Sequence, residues 1–194
     1  MSSLKKLALI LILLWFSGCS SKQTPLKVYT LDVPRVVETS SSQFRYKTIK
    51  VSFPQTLKEK ISNKMHYSYS MNDQGNYLNS QWSNNIGKLL QGTIILALDQ
   101  SRLFKAVLPY ESTAGEDYRL ESSIFDFSHH VRGTSSHAVV SIQFSLINTY
   151  TGRLIKTKRF SYRESTPTID AQGYVTATNV AVGKLGRDLV HWLR

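Results

Sequence analysis

Three histidines lie close together in the chain: His129, His130 and His137. Imidazole nitrogens are common ligands of zinc and other transition metals, so this cluster is the first place to look for chemistry. Asp126 is the nearest carboxylate, and no cysteine lies beside the cluster, so a convincing zinc ligand set is incomplete. We therefore predict no metal site and interpret the three histidines as solvated residues of a loop around Gly133.

Features of an enzyme active site are also missing from the sequence. The Gly-x-Ser-x-Gly pattern of many serine hydrolases does not occur. Gly87 and Gly92, followed by Thr93, have the glycine spacing of a phosphate-binding loop, but the required lysine is absent and the segment falls inside a predicted helix. The sequence therefore shows no nucleophile of a hydrolase and no cofactor-binding loop, and we expect no catalytic residue and no cofactor.

The first eighteen residues have the layout of a secretory signal peptide. Lys5 and Lys6 precede an apolar run, residues 7–16, and two small residues, Ser17 and Gly18, close the segment. The apolar run has about half of the ~20 residues that a membrane-spanning helix needs. We therefore expect residues 1–18 to be removed and no permanent transmembrane helix to remain.

Cys19, the only cysteine of the chain, follows this segment directly. The sequence Phe16-Ser17-Gly18-Cys19 resembles the lipobox of bacterial lipoproteins, which implies that the Cys19 thiol carries diacylglycerol and that palmitate or similar acyl chains anchor the protein. Two or three acyl chains hold a protein stably on a membrane. The alternative is an ordinary signal peptide with an incidental cysteine.

The lipobox resemblance also implies a location and a domain organisation. Ser20 takes the place where aspartate would retain a lipoprotein in the inner membrane, so we expect a cell-envelope protein that is lipid-anchored in the outer membrane and faces the periplasm. Residues 19–25 then form the lipidated cysteine and a short tether. Residues 26–194 form a single domain.

The chain is strongly basic, with 24 Lys and Arg against 13 Asp and Glu and a formal charge of +11. Such a charge is typical of nucleic-acid-binding proteins, but an exported protein meets anionic headgroups and other proteins far more often, so we expect no nucleic-acid partner. The excess charge indicates electrostatic attraction to a membrane surface or to a partner. A solvated basic surface without a specific role is the alternative.

Hydrophobic periodicity predicts an α+β fold. Alternating apolar residues predict strands at 27–31, 45–53, 66–71, 104–108, 118–127, 138–147 and 153–162, with a turn at 72–76 and a hairpin turn at Gly152. Helical spacing predicts a helix over residues 80–100, capped by Asn79 or Ser80, and an amphipathic helix near the C-terminus. We expect a two-layer sandwich, in which two helices cover one face of a mainly antiparallel sheet of about six to seven strands.

Aromatic residues mark the expected core. Trp82 and Trp192 lie on the apolar stripes of the two predicted helices and are expected to anchor them to the sheet. A row formed by Tyr67, Tyr69 and Met71, together with Phe125 and Phe127, fits either core packing or contact with lipid acyl chains. We favour core packing.

Several of these features together resemble the ABC-type transport auxiliary lipoproteins, which accompany lipid-transport systems of the mammalian-cell-entry (MCE) type. The resemblance is carried by Tyr29-Thr30-Leu31, Trp82, Tyr118-Arg119-Leu120, Phe125-Asp126-Phe127, the Gly152 hairpin, Leu185, Leu189 and Trp192-Leu193. It implies a non-catalytic lipoprotein whose partners are an MCE-type periplasmic lipid-transfer protein and an ABC permease with its ATPase. A homo-oligomer is also compatible with it.

Two other functions remain open on the sequence. A regulatory lipoprotein that activates a cell-wall synthase can have a small α+β domain, but reaching through the wall needs a long leader. Here residues 20–25 reach at most ~20 Å. A factor that assembles lipid or lipopolysaccharide is the third possibility.

Overall fold

The computed structural model describes residues 24–32, 34–38, 42–56, 62–70 and 72–194. Cys19 and the predicted signal peptide lie outside these residues. The described part contains eight strands and two helices. In chain order they are β1 (Lys27–Tyr29), β2 (Thr48–Val51), β3 (Lys64–Ser70), β4 (Asp73–Trp82), α1 (Ile86–Ser101), β5 (Ala106–Pro109), β6 (Tyr118–Arg132), β7 (Ser135–Asn148), β8 (Leu154–Ser165) and α2 (Ala171–Leu193).

All eight strands belong to one sheet, with the long strand β6 at its centre. β7 runs antiparallel along one side of β6, and β8 lies beyond β7. On the other side, β2 pairs with the beginning of β6 and β3 with its end, both in parallel. β5 extends the sheet from β2, while β4 and then β1 extend it from β3.

This topology confirms the α+β class and corrects the details of the sheet. The sheet has eight strands instead of six to seven, and it is mixed instead of mainly antiparallel, since four of its strand pairs are parallel. The physical reason is that apolar alternation predicts a strand but not its direction. Parallel pairing needs a long connection, which α1 and the long segments between strands provide here.

The strands β6, β7 and β8 form two successive hairpins. Gly133 (φ 56°) lies in the first turn and Gly152 (φ 68°) in the second. Both angles fall in the left-handed region, which glycine adopts without steric cost. The hairpin predicted at Gly152 is therefore confirmed.

The first helix begins later than predicted. Asn85 caps it, with its side-chain oxygen Oδ1 accepting a hydrogen bond from the backbone N–H of Lys88 at 2.9 Å. Residues 79–82 belong to β4, so Trp82 ends a strand and does not open the helix. The prediction failed because Trp82 and Ile86 have the i, i+4 spacing of a helix, and Asn79 and Asn85 are equally good caps by residue type.

The C-terminal helix α2 forms as predicted. The carboxylate of Asp170 accepts a hydrogen bond from the backbone N–H of Gly173 at 2.8 Å and caps the first turn. The buried side of α2 includes Val182, Leu185 and Leu189. This apolar stripe joins the hydrophobic core.

Both helices contribute to a single hydrophobic core on one side of the sheet. On β7, Val140, Ile142 and Phe144 are almost fully buried and alternate with polar residues that point to the other side. Leu90 of α1 and Leu185 of α2 belong to the same core. The other side of the β6–β8 region carries no helix in the described part of the chain, and its residues are mainly polar.

Candidate functional site

The predicted lipidation residue, Cys19, lies outside the described residues. Its role therefore stays a prediction. None of the helices in the described ranges is long and apolar enough to cross a membrane.

The three predicted loop histidines lie on strands, which corrects the sequence interpretation. His129 and His130 belong to β6, and His137 belongs to β7. Consecutive residues of a strand point to opposite faces, so His129 faces the core while His130 pairs with His137 at the other face. Gly133 correctly indicates a turn, but this turn has only two residues, since β6 extends to Arg132 and β7 begins at Ser135. The histidines on either side therefore belong to the strands.

His130 and His137 have partners other than a metal. Nε2 of His130 lies 3.0 Å from Oδ2 of Asp126. Burial lowers the pKa of His137, and the nearby Arg163 guanidinium lowers it further. Within the ranges that the structure describes, no three His, Cys, Asp or Glu side chains are placed to share a metal ion.

His129 lies at the centre of a buried aromatic cluster, with no exposed surface of its own. Its ring stacks on Tyr174 of α2 at a centroid distance of 5.2 Å, and its Nδ1 is 2.7 Å from the Tyr77 hydroxyl. Burial lowers the pKa of His129 to about 4 and raises the pKa of Tyr77 to about 12. The neutral imidazole therefore serves as a structural element between the sheet and α2.

The aromatic row that could have contacted lipid is divided between the core and the surface. Phe127 is buried, whereas Tyr69 and Phe125 are about half exposed. The Arg159 guanidinium covers the Phe125 ring at 4.1 Å from its centroid. Tyr67 is partly buried and packs edge-on against Tyr77. Met71, the last member of the row, lies outside the described residues.

Phe125 reaches the surface because of a bulge that the sequence did not reveal. The register of β6 against β7 shifts between Ile124 and Asp126. An extra residue in one strand breaks the simple alternation of inward and outward side chains. In a regular strand Phe125 and Phe127 would share one face, because they are two residues apart. The bulge places Phe125 at the surface, whereas Phe127 points into the core.

A polar cavity of about 450 Å³ opens next to the beginning of β6. Its walls combine hydroxyls, amides, two aromatic rings and one charge of each sign: Ser52, Phe53, Gln55, Tyr110, Arg119, Glu121, Ser122, Ser123, Gln143 and Ser145. None of these lining residues is a histidine, and a serine hydroxyl needs an adjacent base to become a nucleophile. The cavity walls thus offer hydrogen bonds but no nucleophile–histidine pair.

A compact ionic cluster fixes one wall of this cavity. Glu116 binds Lys50 at 2.9 Å and Arg119 at 2.7 Å. Hydrogen bonds from these two cations hold the pKa of Glu116 below its usual range. The next residue, Asp117, accepts a hydrogen bond from the backbone N–H of Thr48, which lowers the pKa of Asp117 and ties β2 to the start of β6. These bonds position the Arg119 side chain without leaving it free to act as a general acid or base.

The predictions from the sequence did not include the cavity or the exposed side of β8. The cavity combines residues of four separate segments, which no local pattern connects. For β8, a signal was present: between Leu154 and Ser165 only Phe160 is buried, and the cations outnumber the acids. A strand that buries so little is typical of the edge of a sheet.

Comparisons with known proteins agree with this architecture. A family model described as the ABC-type transport auxiliary lipoprotein component matches residues 29–190. Among proteins with curated descriptions, none matches the sequence.

Solved structures show the same fold at low sequence identity. A crystal structure of a Xanthomonas campestris protein has 17% identity and a TM-score of 0.77, covering 86% of this chain and 94% of that one. A second crystal structure, of an uncharacterised protein, has 14% identity and a TM-score of 0.69, covering 88% of this chain and 100% of that one. A hypothetical protein from Chlamydia trachomatis has 9% identity and a TM-score of 0.51, covering 76% of this chain and 95% of that one. At these identities the likeness concerns the fold alone.

Proposed function

Because the chain belongs to the family of ABC-type transport auxiliary lipoproteins, we propose that it is a non-catalytic adaptor of an ABC-type lipid transport system. The observation that carries this proposal is the extent of the family match, which runs from the end of β1 almost to the end of α2. The match therefore spans nearly the whole described domain and not one shared motif.

The chemistry of the described residues supports an adaptor more than an enzyme. His129 is buried and neutral, Glu116 is bound to two cations, and His130 is paired with Asp126. A general acid or base must lie within hydrogen-bond reach of the proton that it transfers on a substrate. Along the described ranges, these candidates instead hold strands and helices together.

In this proposal Cys19 carries acyl chains that anchor the protein in the outer membrane, facing the periplasm. The tether of residues 20–25 reaches at most ~20 Å, so the domain stays close to the membrane surface. An MCE-type periplasmic protein, delivering lipid from an ABC permease and its ATPase, would meet the domain there. The adaptor would give that partner a fixed point on the membrane.

The test is to identify the partners of the protein in living cells. The full chain, carrying an affinity tag at its C-terminus, is crosslinked in cells, extracted in detergent and analysed by mass spectrometry. We expect an MCE protein, a permease or an ATPase of one ABC system among the crosslinked proteins. Recovery of cell-wall synthases, without any component of such a system, would replace the adaptor by a regulatory lipoprotein.

A further inference from the structure

β8 forms a long open edge of the sheet. It has 12 residues and pairs with β7 on one side, and no described strand pairs with its other side. The other edge strands are short: β1 has 3 residues and β5 has 4, ending at Pro109. An edge strand presents unpaired backbone N–H and C=O groups, to which another strand can add. Among the described strands, the free edge of β8 runs over all 12 of its residues, whereas β4 pairs with β1 at Ser80–Trp82 and is left open only over the shorter stretch 73–79.

The side chains along this edge leave it accessible. Ile155 is 47% exposed and Leu154 is 56% exposed, and most residues of β8 after them are also exposed. The packing of α2 involves the inward side of β8, through the Tyr162 hydroxyl, which donates a hydrogen bond to Asp188 at 2.7 Å. The helix therefore covers one face of the strand and not its free edge.

The edge is positively charged on both of its faces. The cations of β8 are Lys156, Lys158, Arg159 and Arg163, and its single acid is Glu164, which is bound to Lys184 at 2.6 Å. Residues 158 and 159 are adjacent, so their side chains leave the strand on opposite faces.

None of these cations has a carboxylate as its described contact. Lys156 donates a hydrogen bond to the Trp192 carbonyl, and Lys158 lies over the Phe160 ring. Arg159 lies over the Phe125 ring, and Arg163 lies 3.4 Å from Nδ1 of His137. Arg159 also donates a hydrogen bond to the Ser141 hydroxyl at 3.0 Å. Phenyl rings, backbone carbonyls, a hydroxyl and an imidazole hold the side chains in place but do not neutralise their charge.

The positive charge of β8 indicates what kind of segment could pair with its free edge. A second copy pairing through β8 would place cations opposite cations, which is unfavourable for directly opposed side chains. The chain's own N-terminal residues 1–23 contain lysines and no Asp or Glu, so they offer no complementary charge either. An extended segment with acidic side chains would match both the open hydrogen-bonding groups and the cations.

We propose that the free edge of β8 binds an acidic, extended segment of a partner protein, which adds to the sheet as a further strand beside Leu154–Ser165. This inference deepens the proposed function by naming the docking surface of the adaptor, and it rests on that function for the identity of the partner. Backbone hydrogen bonds hold the added strand, and the side chains along the edge set its register. The cations select an acidic sequence and disfavour the pairing of two copies through β8.

Hydrogen exchange with a synthetic peptide tests this proposal. The probe is a ten-residue peptide in which Glu and Asp alternate with Val and Thr, added to the full chain in a nonionic detergent. At a peptide concentration ~10 times its Kd, mass action predicts that exchange of the edge amides of β8 slows about tenfold. Amides in the middle of β6 should not change, and a peptide with Lys in place of Glu and Asp should give no protection.

Charge-reversal variants separate this edge from the general basic charge of the protein. Lys158→Glu combined with Arg163→Glu should weaken binding of the acidic peptide by about tenfold or more, since two favourable cross-strand pairs become repulsive. Lys88→Glu combined with Lys105→Glu, at two exposed cations away from β8, changes the net charge equally and should alter binding by no more than about twofold. Circular dichroism checks that both double variants are folded.

Three results would overturn the proposal: no binding of the acidic peptide, binding without protection of β8, or equal effects of the two double variants. Protection of β8 that rises with protein concentration in the absence of peptide would assign the edge to a second copy. The experiment uses no component of a transporter. If the peptide binds at β8 but cellular crosslinking finds no ABC system, the proposed docking edge stands and the proposed adaptor function is wrong. If crosslinking finds an ABC system but the peptide does not bind at β8, the adaptor function stands and the docking edge is wrong.

Discussion

The buried imidazole of His129 can make one hydrogen bond in its surroundings but not two. Tyr77 contacts Nδ1, while Nε2 is buried with no hydrogen-bond partner in the described part of the chain. A protonated ring has two N–H donors, so one of them would be buried unsatisfied. This is why burial holds the pKa of His129 at about 4, below its usual value of 6.5.

The lowered pKa predicts how stability depends on pH. Between pH 6.5 and about 4, the unfolded chain binds a proton at His129 that the folded chain does not. The free energy of unfolding should fall with decreasing pH in this window, by up to ~1.4 kcal/mol per pH unit from this group. We expect His129→Phe to flatten the dependence, as measured by urea unfolding at several pH values. The control is the same substitution at the exposed His191, which should leave the slope of the free energy of unfolding against pH unchanged. If His129→Phe also leaves this slope unchanged, His129 is not the group responsible.

Cys19 supplies the second prediction at this scale. If its thiol carries the lipid, the intact mass of the membrane-extracted protein should correspond to a chain that starts at Cys19 and bears acyl chains. Cys19→Ser should remove the anchor, because a hydroxyl cannot form the thioether, and should release the protein from the membrane fraction. Ser20→Ala is the matched control and should remain membrane-bound. A mature membrane-bound chain with a free Cys19 thiol would contradict the prediction.

The two helices meet at a contact that requires a small residue. At Gly186 of α2, an added Cβ would lie 2.7 Å from Cβ and 2.8 Å from Cγ of Pro34, and 3.6 Å from Cβ of Ala97 on α1. Side-chain atoms do not approach so closely without moving the backbone. Gly186 therefore sets the distance between α2, α1 and the segment at Pro34.

This contact predicts opposite results for two glycines of the same helix. Gly186→Ala should lower the free energy of unfolding by ~1–3 kcal/mol, because the overpacked methyl must displace its neighbours. At Gly183 an added Cβ would meet only the end of the Arg187 side chain, at 3.7 Å. Gly183→Ala should therefore be neutral or stabilising by up to ~1 kcal/mol through helix propensity. Equal stabilities of the two variants in thermal unfolding would show that α2 does not approach Pro34.

Trp82 anchors α2 from the end of β4. Its ring contacts Phe127 at 6.0 Å and Tyr174 at 5.8 Å between centroids, and only 1% of the residue is exposed. Trp82→Ala should cost ~3–5 kcal/mol, measured by denaturant unfolding. Trp192→Ala should cost less, because Trp192 is only partly buried against Phe160. Solvent-like fluorescence of Trp82 in the folded protein would contradict this placement.

Trp82 also illustrates what the sequence could reveal about the elements. Its burial was predictable from residue type, and it is confirmed. The element that contains Trp82 was not predictable, because the spacing of Trp82 and Ile86 fits a helix. The pairing of Trp82 with Tyr29 of β1, a tertiary contact, places it in a strand. The helix α2, most of β7 and the first ten residues of β6 were predicted, since each has a sustained period, whereas residues 128–132, which were predicted to lie in a loop, form the end of β6.

At the scale of the whole molecule, the arrangement of strands depended on contacts that no local pattern contains. Tyr67 pairs with His129 across more than sixty residues, in parallel, and Ile49 pairs with Tyr118 in the same way. Such pairings depend on how distant segments pack into the common core. For this reason the sequence could not predict the strand directions, the polar cavity or the free edge of β8. The α+β class could be predicted, because it follows from the order in which strand-like and helix-like apolar patterns occur along the chain.

The domain also retains its basic character once the predicted signal peptide is removed. Residues 1–18 contain Lys5 and Lys6 and no acid, so 24 − 2 = 22 cations and 13 acids remain, a net charge of +9. Screening by salt weakens attraction between such a surface and anionic headgroups or an acidic partner. Added salt should therefore weaken any association of the proposed adaptor with an acidic partner or with anionic headgroups.

The central claim, that this lipoprotein serves an ABC-type lipid transport system, is tested most directly by lipid movement in cells. Phospholipids are pulse-labelled, and their transfer between the inner and outer membranes is followed in cells with and without this protein. We predict that its loss slows the transfer as strongly as loss of the ATPase of that system, and that the wild-type chain restores the rate while Cys19→Ser does not. Unchanged lipid transfer together with a fall in cell-wall synthesis would contradict the account.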